Sequence, residues 1–270
     1  ADLALPGEAA ELPGGSGVGV FLHEVLEHLP FEALRGLRDG AALLADDGLA
    51  SLLAHHARRN GVEERWLPAA AGLLVRSLSA PLALADGAAL PEGLRSVRRR
   101  VTELPFLLPI PERGHPTLAD APPDPDGAPL RIERGFIRGV VDLVFEHEGR
   151  FHLVDYKSDR LPAYGAEALA DHVARNYRVQ ARLYTVGTLR ALGIHGAADY
   201  EARFGGVVYA FLRGMNAEGA GVWAARPRWD EVLGWERDLL ADDPWGHPLP
   251  PRRGAARAGS PASSEASRRR

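Results

Sequence analysis

The 270-residue chain contains no cysteine, which excludes disulfide bonds, thiolate zinc sites and cysteine-ligated iron–sulfur clusters. No apolar run reaches the roughly 18 residues of a membrane span, so we expect no membrane partner. The G-x-x-x-x-G-K-[ST] phosphate loop is also missing, which excludes a motor of that type in this chain. The net charge of −4 is near balance and indicates no polyanionic partner by itself.

Lysine is almost as rare as cysteine. Lys157 is the only lysine among 32 basic residues, and it follows Asp155 by two positions in the stretch FHLVDYKSDR. A lysine ammonium is compact and can titrate when it is buried, whereas a guanidinium is planar and always charged. Lysine at this position therefore indicates a need for a compact cation, although a purely structural Asp–Lys ion pair is the alternative.

Composition divides the chain into three parts. Residues 1–16 are rich in Ala, Gly and Pro and predict a linker, residues 17–245 predict the folded domain, and residues 246–270 predict a disordered tail. The chain begins with Ala and its single methionine is Met215, so we expect it to be a piece of a longer polypeptide.

Periodicity within the folded part predicts an α/β domain with an N-terminal helical extension. A first helix over 17–29 has apolar residues at 3/4 spacing and stops at Pro30. Residues 111–130 predict a Pro/Asp loop. The remaining predicted elements are helices within 31–96, strands at 100–110, 136–146, 150–157 and 205–212, one long helix over 165–192, and a last helix over 228–240.

The second and third strands form a predicted hairpin. Glu148-Gly149 is a plausible two-residue turn in which the glycine supplies a positive φ. The resulting register pairs His147 with Arg150, Val144 with Leu153, Asp142 with Asp155, and Val140 with Lys157. Side-chain alternation then predicts Asp142, Asp155 and Lys157 on one face, and Val141, Leu143, Phe145 and Val154 on the other.

Two directly opposed aspartates destabilise a covered sheet, because their Cβ atoms lie about 4.5–5.5 Å apart. They require a proton, a cation or a metal ion. Oxygen ligands without cysteine favour a hard metal, Mg²⁺ or Mn²⁺.

Four further residues are candidates with ordinary alternatives. Gln180 and Tyr184 lie with Tyr177 on one stripe of the predicted helix. This stripe either packs in the hydrophobic core or places Gln180 and Tyr184 against the Asp–Lys pair. His23 lies at the edge of the first helix, where a structural histidine is the alternative. Glu103 lies in the first strand, where a surface glutamate is the alternative.

The order of these elements and residues resembles the PD-(D/E)XK nuclease superfamily, and more closely the RecB family, the nuclease domain at the C-terminus of a bacterial helicase–nuclease that processes double-strand breaks. The fold it implies is a restriction-endonuclease-like core, a mixed central sheet flanked by helices. The stretches that carry the resemblance are GVFLHEVLEHLPF, ELPFLLPI, GVVDLVF, LVDYKSDRL, YRVQARLYTVGTLRAL and FGGVVYAFLRGM.

The resemblance also implies roles for single residues. Lys157 would position the attacking water, and Gln180 and Tyr184 would form the helix motif beside the site. The residues implied as ligands of Mg²⁺, with Mn²⁺ as a possible substitute, are His23, Glu103, Asp142, Asp155 and the backbone carbonyl of Tyr156.

The implied function is a Mg²⁺-dependent DNA nuclease in double-strand break repair and recombination, located in the bacterial cytoplasm. Its implied partners are single-stranded DNA and unwound duplex ends, the helicase portion of the same polypeptide, and RecC- and RecD-type subunits. A catalytically silent DNA-binding or regulatory module of a helicase complex is the alternative function.

Overall fold

A computed structural model describes residues 12–110 and 135–239. Among the described residues, four α-helices precede the main sheet: α1 (Ser16–His28), α2 (Gly40–Leu44), α3 (Asp47–Arg59) and α4 (Leu67–Ser79). Short 3₁₀ turns at Phe31–Leu34, Glu64–Trp66 and Leu94–Ser96, and a two-stranded sheet of β1 (Leu82–Ala83) and β2 (Ala89–Leu90), complete this part.

The first helix forms for the reason that its sequence predicts. Its apolar residues at 3/4 spacing are buried on one face, and the chain leaves the helix just before Pro30, since a proline disfavours helical geometry in the residue before it. Aspartate side chains begin the next two helices: Asp39 accepts a hydrogen bond from Ala42 N, and Asp46 accepts from Gly48 N and Leu49 N.

The main sheet has five strands in the spatial order β3 (Arg100–Ile110), β4 (Gly135–His147), β5 (Arg150–Lys157), β6 (Phe204–Phe211) and β7 (Val222–Ala225). Neighbouring strands are antiparallel except β5 and β6, which are parallel. Every residue of β6 is buried, which explains its continuous apolar sequence, since parallel central strands are covered on both faces.

Helices cover both faces of this sheet. The first four helices pack on one face in one apolar cluster. The second apolar cluster, on the other face, contains α5 (Ala166–Asn176), α6 (Arg178–Ala191), α7 (Ala197–Arg203) and α8 (Trp229–Leu239). The predicted mixed α/β core with an N-terminal helical extension is therefore confirmed.

The predicted long helix over 165–192 is wrong. Tyr177 leaves helical geometry, with φ −125° and ψ 3°, and separates α5 from α6. No glycine or proline marks this break in the sequence. Tyr177 instead makes tertiary contacts, because its hydroxyl donates to Asp159 and its ring lies under the Lys157 ammonium.

Three sequence predictions concern segments outside the described residues: most of the linker, the 111–130 loop and the 246–270 tail. Within the described residues, none of the helices combines the length and apolar character that crossing a membrane requires.

A close approach of α6 to the sheet sets the position of this helix. The Phe106 ring of β3 lies between Gly139 of β4 and Gly187 of α6. A Cβ atom added at Gly187 would lie 2.5 Å from the Phe106 ring. Larger residues at 187 would therefore push away the helix that carries Gln180 and Tyr184.

We expect Gly187→Ala to lower the free energy of unfolding by about 1–3 kcal/mol, the usual range for overpacking a tight core. The measurement is urea unfolding followed by circular dichroism. Gly234→Ala in α8 is the matched control, because its Cβ would meet no atom closer than 4.0 Å. Since alanine is favoured over glycine inside helices, the control substitution should raise the free energy of unfolding by about 0.5–1 kcal/mol. Equal effects of both substitutions would contradict this account of α6.

Candidate active site

The hairpin of β4 and β5 forms at the predicted turn, and the predicted register holds from the turn as far as Leu143 and Val154. His147 pairs with Arg150, and Val144 pairs with Leu153. Both turn residues have positive φ, 50° at Glu148 and 80° at Gly149. This is the pattern of a type I′ turn, whereas the sequence prediction gave a positive φ to the glycine alone.

The predicted direct pairs of Asp142 with Asp155 and of Val140 with Lys157 are not formed. The β4–β5 ladder ends at Leu143 and Val154. Beyond that point the carboxylate of Asp142 takes the place of a backbone acceptor, because Tyr156 N donates to Asp142 Oδ2 at 2.7 Å. The strands therefore separate where the acidic residues begin.

Alternation along β4 also breaks at this point. Leu143, Phe145 and Val154 were predicted to share one face, and all three lie in the cluster beneath the N-terminal helices. Val141 was predicted to join them but lies in the opposite cluster with Val144. The irregularity explains the error, since period-two counting is valid only through a regular strand.

Glu103 lies at the same irregularity on the neighbouring strand. Its φ is 51°, an uncommon value for a residue other than glycine. The β3–β4 ladder pairs Thr102 with Leu143 and Leu104 with Val141 but omits Glu103 and Asp142. The omitted positions place Glu103 across from Asp142, and burial together with the negative charge of Asp142 raises the pKa of Glu103.

His23 reaches this cluster from α1. Its Nδ1 lies 3.4 Å from Asp142 Oδ1. Burial opposes protonation of the imidazole, but hydrogen bonding to Asp142 and the charges of Asp142 and Asp155 outweigh burial and raise the pKa of His23. The histidine is thus held by the acidic cluster.

Asp155 is the most buried carboxylate of the cluster, with only 3% of its side chain exposed. Burial and the charge of Asp142 raise its pKa to about 6, although Lys157 acts in the opposite direction. Gln180 Nε2 donates to Asp155 Oδ1 at 3.1 Å. The other carboxylate oxygen, Oδ2, forms an ion pair with Lys157 Nζ at 2.5 Å.

Lys157 is held on several sides. Besides Asp155, its ammonium donates to Gln180 Oε1 at 2.9 Å. It also lies 4.2 Å from the ring centroid of Tyr177 and 5.2 Å from that of Tyr209, where the aromatic faces attract a cation. We call these two residues the tyrosine pair. A compact ammonium fits this surrounding, which accounts for lysine in a chain that otherwise uses arginine.

Sequence reasoning missed Tyr209 and gave no role to Tyr177. Tyr209 lies next to Asp155 in the β5–β6 register, and its hydroxyl donates to Gln180 Oε1 at 3.3 Å. Asp159 fixes the ring of Tyr177 by accepting its hydroxyl hydrogen at 2.9 Å. The available signal was a tyrosine in the fully apolar stretch GGVVYAFL.

Both predicted helix residues reach the site. Gln180 bridges Asp155 and Lys157, as its two hydrogen bonds show. Tyr184 packs edge-on against Phe106 at 5.4 Å between ring centroids. Burial, together with the nearby charges of Asp155 and Asp142, raises its pKa although a hydrogen bond with Gln180 opposes this.

The acidic cluster is not a preformed metal shell. In the part of the chain that the structure describes, no three His, Asp or Glu side chains already converge on one point. The carboxylates of Glu103, Asp142 and Asp155 nevertheless fit a hard divalent cation, because such a cation prefers oxygen ligands. The raised pKa of Asp155, caused by burial and by the charge of Asp142, indicates that buried negative charge accumulates here.

An open pocket of about 410 Å³ adjoins the lysine. Its lining includes Lys157, Asp159 and His23 together with Gly15 and Ser16 at the start of α1. Polar groups therefore surround a space next to the ion pair that is wide enough for a substrate phosphate.

Comparison with known proteins agrees with this geometry. A family model of the PD-(D/E)XK nuclease superfamily matches residues 4–248. The chain is 33% identical over 241 residues to the RecBCD enzyme subunit RecB of Escherichia coli (strain K12), covering 80% of this chain and 18% of that protein. It is 31% identical over 230 residues to the RecB subunit of Haemophilus influenzae, covering 80% and 18%.

A third relative is the RecB subunit of Mycolicibacterium smegmatis, which is 30% identical over 289 residues, covering 89% of this chain and 25% of that protein. The chain therefore spans between 18% and 25% of the length of these relatives. Because the family model covers most of the chain, and the acidic cluster, Lys157 and Gln180 meet in one site, the chain belongs to the PD-(D/E)XK nuclease superfamily, with homology over most of its length to the RecB subunit of RecBCD.

Proposed function

We propose that this chain is a Mg²⁺-dependent DNA nuclease domain that hydrolyses phosphodiester bonds. The observation that carries the proposal is the contact of Lys157 with both Asp155 and Gln180 beside the Asp142 carboxylate. A buried Asp–Lys pair stabilises a fold poorly, because desolvation offsets much of the ionic attraction. Its position next to further acidic residues and an open pocket fits catalysis better.

A Mg²⁺ ion, or Mn²⁺ in its place, would be held by Asp142, Asp155 and the carbonyl of Tyr156, with His23 and Glu103 beside them. When bound, it supplies Lewis-acid polarisation of a phosphate oxygen and a water of lowered pKa. The two carboxylates approach each other where the β4–β5 ladder ends, so the fold itself concentrates the negative charge that such an ion requires.

Lys157 positions the attacking water. An ammonium has three N–H donors, and contacts with Asp155 and Gln180 occupy two directions. The third is available to a water or a phosphate oxygen in the pocket that Lys157 lines. The rings of the tyrosine pair lie against the ammonium and limit where it can move, so this donor keeps its direction relative to the carboxylates.

The relatives support a proposal for the biological setting. They are named as RecB subunits of the RecBCD enzyme, and the chain matches only part of their length. We propose that this domain cleaves single strands and unwound duplex ends delivered by a helicase portion, in double-strand break repair and recombination. RecC- and RecD-type subunits are its proposed partners, and the bacterial cytoplasm its proposed location.

Replacing Lys157 with arginine tests the role of the compact ammonium. We expect Lys157→Arg to reduce cleavage of single-stranded DNA on the order of 10²-fold or more, because the guanidinium is too wide for the tyrosine pair and cannot share a proton near neutral pH. The measurement is single-turnover cleavage at saturating Mg²⁺. Arg175→Lys is the control, since the exposed ion pair with Asp171 is worth about 0–1 kcal/mol at most. Unchanged cleavage by Lys157→Arg would mean that Lys157 is only a cation.

The double substitution Asp155→Asn with Lys157→Met separates catalysis from stability. Replacing a buried ion pair with well-packed hydrophobic residues of similar volume is often neutral or stabilising by about 1–4 kcal/mol. Methionine supplies the apolar stem at 157, and asparagine keeps the shape at 155 and an acceptor for Gln180 Nε2. We therefore expect an unchanged or higher melting temperature and no Mg²⁺-dependent cleavage. Lys157→Met alone should lower the free energy of unfolding by about 3–5 kcal/mol, because it leaves the buried Asp155 carboxylate without its cation.

Loss of stability in the double variant would instead assign the pair a structural role. Wild-type protein that binds single-stranded DNA but cleaves it with neither Mg²⁺ nor Mn²⁺ would favour the silent DNA-binding module.

A further inference from the structure

An exposed apolar surface lies on the same two strands as the active site. Leu107 of β3 is 57% exposed and Phe136 of β4 is 65% exposed. Their neighbours Phe106 and Leu108 are buried in the cluster beneath α6. One face of this two-stranded ribbon therefore packs in the core, and the other is open to solvent.

The β3–β4 register joins the exposed residues into one surface. Leu107 lies directly opposite Arg138, and Phe136 lies two residues before Arg138 on the same face. Opposed side chains have Cβ atoms about 4.5–5.5 Å apart, so their exposed atoms are neighbours. We call Pro105, Leu107, Phe136 and Arg138, all of them exposed, the ribbon face.

The ribbon face is continuous with the acidic cluster. Glu103 precedes it on β3, and Asp142 follows it on β4. Arg138 is four residues from Asp142 and Phe136 is six, which is about 13 Å and 20 Å along a strand. Both strands present these residues on the face opposite Phe106, toward the side of the sheet where His23 contacts Asp142.

We propose that the ribbon face is a stacking platform for the bases of single-stranded DNA that enters or leaves the active site. This inference rests on the proposed nuclease function and adds the surface that binds the substrate away from the scissile bond. Aromatic rings and guanidinium planes both stack on bases, and this stacking tolerates any sequence. Arg138 also complements the phosphate charge, since no carboxylate pairs with it among residues 12–110 and 135–239.

A protein partner fits this surface less well. A specific protein interface buries about 1,200–2,000 Å² in total, whereas the ribbon face offers only two large apolar side chains. Addition of a partner strand along the edge is also disfavoured, because β3 contains Pro105 and Pro109, which lack N–H donors.

The test is a binding cycle on the full chain without added divalent cation, so that binding is measured without hydrolysis. Fluorescence anisotropy gives Kd for a labelled oligothymidylate and for the same oligonucleotide with abasic positions. We expect Phe136→Ala to weaken binding of oligothymidylate by about 5- to 100-fold, the range for loss of one stacked base. Phe136→Trp should retain the affinity. Val101→Ala, at an exposed apolar residue near the other end of β3, should leave Kd unchanged.

The abasic oligonucleotide distinguishes stacking from a structural effect. Wild-type protein should bind it more weakly than oligothymidylate, and Phe136→Ala should make this difference smaller, because Arg138 is then the remaining group of the ribbon face that can stack. If Phe136→Ala raised Kd by the same factor for both oligonucleotides, the effect would be structural and the stacking platform would be overturned. An unchanged Kd for both would also overturn it and would point to a protein as the occupant of this surface.

Hydrolysis of bis(p-nitrophenyl) phosphate with Mg²⁺ separates the two proposals. This small diester has no nucleobase, so wild type and Phe136→Ala should cleave it at the same rate. If the wild-type chain cleaved neither this diester nor DNA, the proposed nuclease function would be wrong. The binding measurements would still test the stacking platform.

Discussion

A carboxylate buried in the centre of a sheet is the constraint on which the site depends. Asp155 is inaccessible to bulk water, and a second carboxylate, Asp142, lies near it. Such a charge must be compensated by cations and hydrogen-bond donors. Lys157 and Gln180 supply them, and the requirement that Gln180 reach Asp155 fixes where α6 must pack. The contact of Phe106 with Gly187 allows that approach.

The sheet is irregular at the place where charge accumulates. A regular β4–β5 ladder would continue past Leu143, but the Asp142 carboxylate accepts the Tyr156 N–H instead. Glu103 adopts a left-handed backbone at the same level of the sheet. Unfavourable local geometry of this kind persists only where surrounding structure imposes it, and it concentrates at functional sites. In this protein the regular strand pairing stops where the acidic residues begin.

Much of the fold could be predicted because its elements carry strong local signals. The burial stripe of α1, the apolar run of β6 and the turn at Glu148-Gly149 each follow from residues close in sequence. The break at Tyr177 could not be predicted, because its cause is a contact with Asp159 and Lys157 and not a local helix breaker. The face of Val141 was predicted wrongly for a similar reason, since alternation stops at Asp142.

The sequence by itself determined which chemical groups the site contains: two aspartates and one lysine on adjacent strands, with a glutamine on a following helix. Strand periodicity and turn chemistry are local properties, so they brought Asp155 and Lys157 to one face correctly. Only the tertiary structure decided how these groups meet. The end of the ladder, the tyrosine pair around Lys157 and the reach of His23 from α1 depend on packing between elements distant in the chain. No local pattern encodes those distances, because they result from how the helices on both faces pack against one sheet.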